Sequence, residues 1–257
     1  MQRLSILLLA ALFGCQSAQM RDTGFLARSL TAGGTAYPYV VYVPRDYDPS
    51  RSWPVILFLH GAGERGSDGL RQSEIGLGRA IRLNPDRVPA IVVFPQLHAE
   101  ERWLDQAALA AMQALDEAVA EFNGDPRRVY LTGISLGGYG VWHLALSHPD
   151  RFAALVPVCG GIAPAGSATS VRQSPLSAYA LDPYGFTAHA LRDVPIWMFH
   201  GADDDVISPG ESRRMNEMLL REGADVRFNE YKGVGHGAWE RAYAEPELWR
   251  WLLAQQR

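Results

Sequence analysis

The chain has 257 residues, of which 47% are apolar and 20% charged, and its formal net charge is −4. That is enough chain for one α/β domain with a large core, and length alone does not call for a second. Lys and Arg are scattered and no long basic run occurs, which excludes a nucleic-acid partner.

The first twenty residues read as a leader rather than as fold. Arg3 precedes an apolar run at 4–13, too short to cross a bilayer as a helix. A positive start, a short apolar stretch and small residues after it are the pattern of an export signal. The run ends L-F-G-C at Cys15, which resembles the lipobox of bacterial lipoproteins. In that family the Cys becomes the lipidated first residue. Phe13 is bulkier than the residue usual at its position, and an ordinary cut near residues 17–19 is the other reading. Either way the expectation is an exported protein: residues 1–20 as leader and tether, with membrane attachment through a lipid on Cys15 or release into the periplasm or medium. Residues 21–257 then form a single domain.

Along that domain, residues 25–30 and 37–43 flank the turn-rich link Thr31-Ala32-Gly33-Gly34 and read as an antiparallel hairpin at a sheet edge. Further strands are expected at 55–59, 90–94, 129–131, 153–158, 196–199 and 226–231. Several are almost wholly apolar, as strands buried on both faces are. Between them, helical periodicity predicts helices at 104–122 and 136–147, with a last one at 238–253. Ser208-Pro209-Gly210-Glu211 has the form of a capping box and predicts a helix from there to about residue 222. The stretch 160–189, rich in Ala, Ser, Pro and Gly, reads as an irregular insertion over the site. Strands alternating with helices predict an α/β fold with a mostly parallel central sheet. Cys159, the other cysteine, ends an apolar run and reads as a small core residue. If Cys15 is lipidated or removed, no disulfide can form.

The strongest chemical signal is Gly133-Ile134-Ser135-Leu136-Gly137, directly after a strand and directly before a helix. This is the G-x-S-x-G nucleophile elbow in its required context. It places the Ser135 hydroxyl at a helix N-terminus, which favours developing negative charge. A serine hydroxyl needs a base. Of seven histidines, His236 in Gly233-Val234-Gly235-His236-Gly237 lies on a loop at the same sheet edge as Ser135. His60 and His200, each followed by Gly, read as loop-shaping residues. The base needs a carboxylate to fix its tautomer, in the chain order Ser, acid, His. Asp203, Asp204 and Asp205 all occupy that place, and position alone leaves the three open.

Five segments together resemble the α/β-hydrolase superfamily: F-L-H-G-A-G-E-R-G at 58–66, P-Q at 95–96, G-I-S-L-G-G at 133–138, H-G-A-D-D-D-V-I-S-P at 200–209 and G-H-G-A-W at 235–239. The similarity is to its small carboxylesterase, dienelactone-hydrolase-like, feruloyl-esterase and polyester-depolymerase branch, some of whose members carry a peptidase label. It covers nearly all of the chain after the leader. Dienelactone hydrolases proper have Cys at the elbow, so Ser135 turns this chain towards the esterases. The resemblance implies an α/β-hydrolase fold, with Asp204 as the acid and Asp205 as its fallback. It also implies an oxyanion hole made by the amides of Ala62 and Leu136. Glu64 and Arg65 could brace that loop as a pair. Trp103, Tyr139 and Trp239 are expected near the site loops as substrate-binding residues. The activity so implied is hydrolysis of a small-molecule or oligomeric ester through an acyl-enzyme, with no cofactor and no metal. A serine peptidase of the same fold and a non-catalytic exported binding lipoprotein are the competing readings.

Overall fold

The computed structural model describes residues 22–162 and 182–257. Its strands are β1 (Gly24–Ala32), β2 (Thr35–Val43), β3 (Trp53–Leu59), β4 (Ile91–Pro95), β5 (Gly124–Ile134), β6 (Ala154–Val158), β7 (Ile196–Gly201) and β8 (Val226–Tyr231). They form one eight-stranded sheet in the order β1-β2-β4-β3-β5-β6-β7-β8. β1 and β2 pair antiparallel, as does β2 with β4, and every other neighbour is parallel. The hairpin turn falls on Gly33 and Gly34, with φ of 57° and 84°, left-handed values that glycine reaches without strain.

The helices are α1 (Leu77–Leu83), α2 (Asp105–Glu121), α3 (Leu136–Ser147), α4 (Pro183–Leu191), α5 (Gly210–Arg221), α6 (Trp239–Ala242) and α7 (Pro246–Ala254). Alternation along the inner strands sends side chains to two cores. In β3, Val55, Leu57 and Leu59 join a cluster under α2, α3, α4 and α5, while Ile56 and Phe58 join one under α1, α6 and α7. A strand apolar at every position is the sequence consequence of a sheet covered on both faces.

Three expectations need correction. The last helix is two: α6 ends at Ala242 and α7 begins at Pro246, a residue that suits a first helical position and not a helix interior. The capping box at Ser208 is half formed. The Ser208 hydroxyl accepts from the Gly210 amide at 3.2 Å, but the Glu211 side chain does not reach back. It accepts instead from the Tyr184 hydroxyl at 2.6 Å and from the Ile162 amide at 3.3 Å. The insertion, expected to be irregular, contains α4, capped by the Asp182 side chain on the Gly185 amide. The centre of that insertion and the leader with Cys15 lie outside the described residues.

Candidate active site

β5 runs straight into α3 through Ser135, whose φ of 52° and ψ of −116° are strained for a residue with a Cβ. Close approach explains the glycines around it. A Cβ on Gly137 would stand 1.9 Å from the Leu59 carbonyl oxygen, and one on Gly133 would stand 2.5 Å from that of Gly137. The elbow is therefore wedged between β3 and the first turn of α3, and the Ser135 amide is tied to the Val158 carbonyl at 2.9 Å.

His236, the candidate base, arrives from the loop after β8. Nε2 of His236 lies 2.8 Å from Oγ of Ser135, and Nδ1 lies 2.8 Å from Oδ2 of Asp204. An ionised carboxylate only accepts, so Nδ1 carries the hydrogen and Nε2 accepts from the serine hydroxyl. Of the three adjacent acids, Asp204 alone is buried, at 7% exposure, while Asp203 and Asp205 are exposed. The other oxygen of Asp204, Oδ1, takes the amides of Val206 and Ile207 at 2.9 Å each. Burial pushes this carboxyl up, but the hydrogen bonds from His236 and from those two amides outweigh burial and hold it below the usual range.

The loop after β3 closes the other side. A Cβ on Gly61 would lie 3.5 Å from the Ser135 Cβ, so this loop passes directly beside Ser135. Ala62 opens a one-turn helix and Leu136 is the first residue of α3. Amides at such first positions have no partner within the helix. Arg65 braces the loop, donating from Nε to the Ala62 carbonyl at 3.0 Å and from Nη1 to that of Glu101 at 3.4 Å. The pairing of Glu64 with Arg65 is thus replaced by Arg65 on carbonyls. Glu64 is half-buried beside Gly61, and burial raises its carboxyl.

His60 is the loop-shaping residue expected. Its Nε2 accepts from the Leu97 amide at 3.0 Å and its Nδ1–H donates to the Gly61 carbonyl at 2.6 Å. Burial pushes its pKa down to about 4. Trp103 is corrected as a substrate-binding residue. It is 2% exposed, its Nε1–H donates to the His60 carbonyl at 3.0 Å, and its ring packs on Gly140, so it offers no face to a ligand. Trp239 is half-buried with its ring edge-on to His236 at 5.3 Å, and Tyr139 is half-buried one turn after Ser135. Both stay candidates for lining the site.

Among the described residues, one trio could hold a metal ion. Sγ of Cys159, a ring nitrogen of His200 and an oxygen of Asp204 all lie within 4.8 Å of one another. Each is already engaged in a hydrogen-bonded core. Burial pushes the Cys159 thiol up to about 12, so it is not the thiolate that binds metals. The contact between His200 and Asp204 was not legible in the sequence.

Residues 98–255, more than half of the chain, match the model of the prolyl oligopeptidase family. The chain belongs to that family. This family member is 28% identical over 206 residues to poly(3-hydroxyalkanoate) depolymerase C of Paucimonas lemoignei, covering 70% of this chain and 45% of that protein. It is 27% identical over 180 residues to the bifunctional acetylxylan esterase/xylanase XynS20E of Neocallimastix patriciarum, covering 65% of this chain and 21% of that protein. The prolyl oligopeptidase family member thus spans less than half the length of these curated relatives. Among solved structures it superposes on a thermostable esterase with a TM-score of 0.74 at 31% identity, covering 91% of this chain and 63% of that one. A ferulic acid esterase superposes with a TM-score of 0.68 at 16% identity, covering 89% and 97%, a likeness of fold. The chain has the α/β-hydrolase fold.

Proposed function

We propose that the chain is a serine hydrolase that cleaves carboxylic esters through an acyl-enzyme. The observation that carries this is His236 standing 2.8 Å from both Ser135 and Asp204. The nucleophile–base and base–acid bonds of a Ser-His-Asp triad are both made. Nε2 of His236 takes the hydroxyl proton as Oγ of Ser135 forms a bond to the acyl carbon. Asp204 stabilises the imidazolium. The amides of Ala62 and Leu136 receive the oxyanion, and such donors contribute on the order of 3 kcal/mol each in the transition state. As the carbonyl re-forms, the bond to the alcohol oxygen breaks and His236 returns the proton to it. Water, activated by the same imidazole, then releases the acid and restores Ser135.

Esters are favoured by the esterase-named relatives, and the polymer- and xylan-directed names among them favour oligomeric substrates. Peptide cleavage is the second reading, favoured by the family match and by 28% identity over 145 residues to dipeptidyl-peptidase 5 of Porphyromonas gingivalis. The deciding experiment assays p-nitrophenyl acetate, acetylated xylose, a feruloyl ester, a hydroxybutyrate oligomer and a peptide anilide in parallel, with Ser135→Ala as control. Ester turnover and fluorophosphonate labelling are expected in the wild type and absent from the variant. Turnover of the anilide alone would move the assignment to peptidase, and turnover that survives Ser135→Ala would remove it. Export with a lipid on Cys15 belongs to the same proposal and is supported by the apolar run and the L-F-G-C motif. Radiolabelled palmitate should be incorporated by cells making the wild type and not Cys15→Ser.

A further inference from the structure

Asp204 is served by a second histidine. Nε2 of His200 lies 3.2 Å from Oδ2 of Asp204 and 3.0 Å from the Ile207 carbonyl. Both are acceptors, so Nε2 must carry the hydrogen. Nδ1, left with a lone pair, then accepts from the Ser212 hydroxyl at 2.7 Å. His200 is 0% exposed and Ser212 is 6% exposed. The chain of contacts Ser212, His200, Asp204 thereby mirrors Ser135, His236, Asp204 about the shared carboxylate. We propose that His200, held in one tautomer by Ser212, is a positioning residue for the triad acid. Its Nε2–H is donated to the Ile207 carbonyl, and Nε2 stands 3.2 Å from Oδ2, the oxygen that accepts Nδ1–H of His236, where its polarised edge fixes the direction of the carboxylate and limits the charge left for the imidazolium. This rests on reading Asp204 and His236 as acid and base.

A loop stitch alone does not account for the arrangement. The turn after Asp204 is already secured by the Val206 and Ile207 amides on Oδ1. The His200 contact falls on the other oxygen, the one that faces His236. Its removal leaves Oδ2 a stronger acceptor for His236, which raises the basicity of the catalytic imidazole and frees the carboxylate to turn. The neighbours do not obscure this effect. Just after β6, Cys159 stays a thiol, and on α3, Tyr139 stays a phenol, since burial pushes both up to about 12. Glu230 on β8 is kept ionised by Arg213 on α5. Burial lowers the pKa of His200 itself, against the opposing pull of the Ile207 carbonyl and Asp204. The acid limb of kcat/KM is therefore compared between variants of the same triad.

The test compares wild type, His200→Leu, His200→Gln and Ser212→Ala on one ester, with Ser135→Ala as reference. His200→Leu is expected to lower kcat by about 10- to 100-fold, the worth of a hydrogen bond to a charged group, with KM little changed. Its acid limb should move up by about half a pH unit. His200→Gln puts an amide N–H near the place of Nε2–H and should restore both quantities most of the way. Ser212→Ala should shift the limb in the same direction by less, and it carries the test if His200→Leu does not fold. Proton NMR of the His236 Nδ1–H, expected to move downfield in the Leu variant, reads the contact without turnover. An unmoved acid limb and NMR signal, or equal losses in Leu and Gln, overturns the inference while Ser135-dependent turnover stands. Turnover surviving in Ser135→Ala overturns the triad reading instead, and the NMR comparison still decides the contact.

Discussion

At Asp204 one carboxylate gathers two imidazoles and two backbone amides, while its neighbours Asp203 and Asp205 face water. The difference between the three acids is one of burial, and it gives a sharp expectation. Asp204→Asn keeps the shape but lets the amide donate where the carboxylate accepted, which forces the wrong tautomer on His236. A fall in kcat of about 10⁴-fold is expected, as for the corresponding change in other triads. Asp205→Asn should leave kcat within a factor of about 3, since exposed substitutions away from a site cost little. Steady-state kinetics on one ester settle both, and equal losses would move the acid to Asp205. At this scale the sequence was most informative. Ser135 was marked by the elbow motif and His236 by its loop. The choice of Asp204 came from the resemblance, because three consecutive acids carry no local signal of which one is buried. Trp103 misled because a tryptophan near a site loop looks the same in sequence whether its ring faces a ligand or the underside of Gly140.

Element by element, legibility followed periodicity. Strands buried on both faces and the long amphipathic α2 stood out, as did α3, whose bounds matched. β5 extends well before its expected start, because Asp125-Pro126 reads as a turn yet lies within the strand at its exposed end. α1 escaped because it is only seven residues long and contains Gly78, whose site has no room for a side chain: a Cβ there would meet the Ser73 carbonyl at 1.9 Å. α4 escaped because it is short and follows a stretch without a repeat. The seam between β3 and α3 supplies the expectation at this scale. Gly137→Ala drives a methyl into the Leu59 backbone, which cannot yield without moving the strand. We expect destabilisation of more than about 3 kcal/mol, seen as a large drop in Tm, with Gly63→Ala, which meets nothing within 4 Å, as a nearly silent control. A Gly137→Ala protein as stable as the wild type would show the elbow to be looser than described.

For the molecule as a whole, a mostly parallel sheet flanked by helices was legible in the alternation of strands and helices, whereas the strand order and the shape of the pocket depend on long-range packing that no local pattern encodes. Stability against acid is a property of this scale, and the sign follows from His60. Its pKa falls from an ordinary 6.5 to about 4 because burial disfavours the cation. The unfolded chain therefore binds a proton first as pH drops. The contribution is present in full above pH 6.5 and is lost progressively down to about pH 4, by which point the loss amounts to about 3 kcal/mol. Asp204, with its pKa also lowered, contributes in the same sense at lower pH: its share is present above its ordinary value of 3.8 and is lost as pH falls further. Denaturant titrations of wild type and His60→Gln at pH 7 and about pH 4.5 check this. The variant should lose less stability across that interval, and parallel losses would show that His60 is not the responsible group.

The strands β7 and β8 hand the acid and the base to loops that are themselves stitched together. The Ala202 amide donates to the Tyr231 carbonyl and the Asp203 amide to that of Val234, both at 3.0 Å, and Gly201 has no Cβ where the 234–235 backbone crosses it. Asp204 and His236 therefore travel as one body, while Ser135 is anchored on a different strand. Warming that loosens this end of the sheet widens the gap between hydroxyl and imidazole before it separates imidazole from carboxylate. Heat should then silence the nucleophile while the proton relay behind it is still assembled, so that inactivation runs ahead of melting and is undone on cooling.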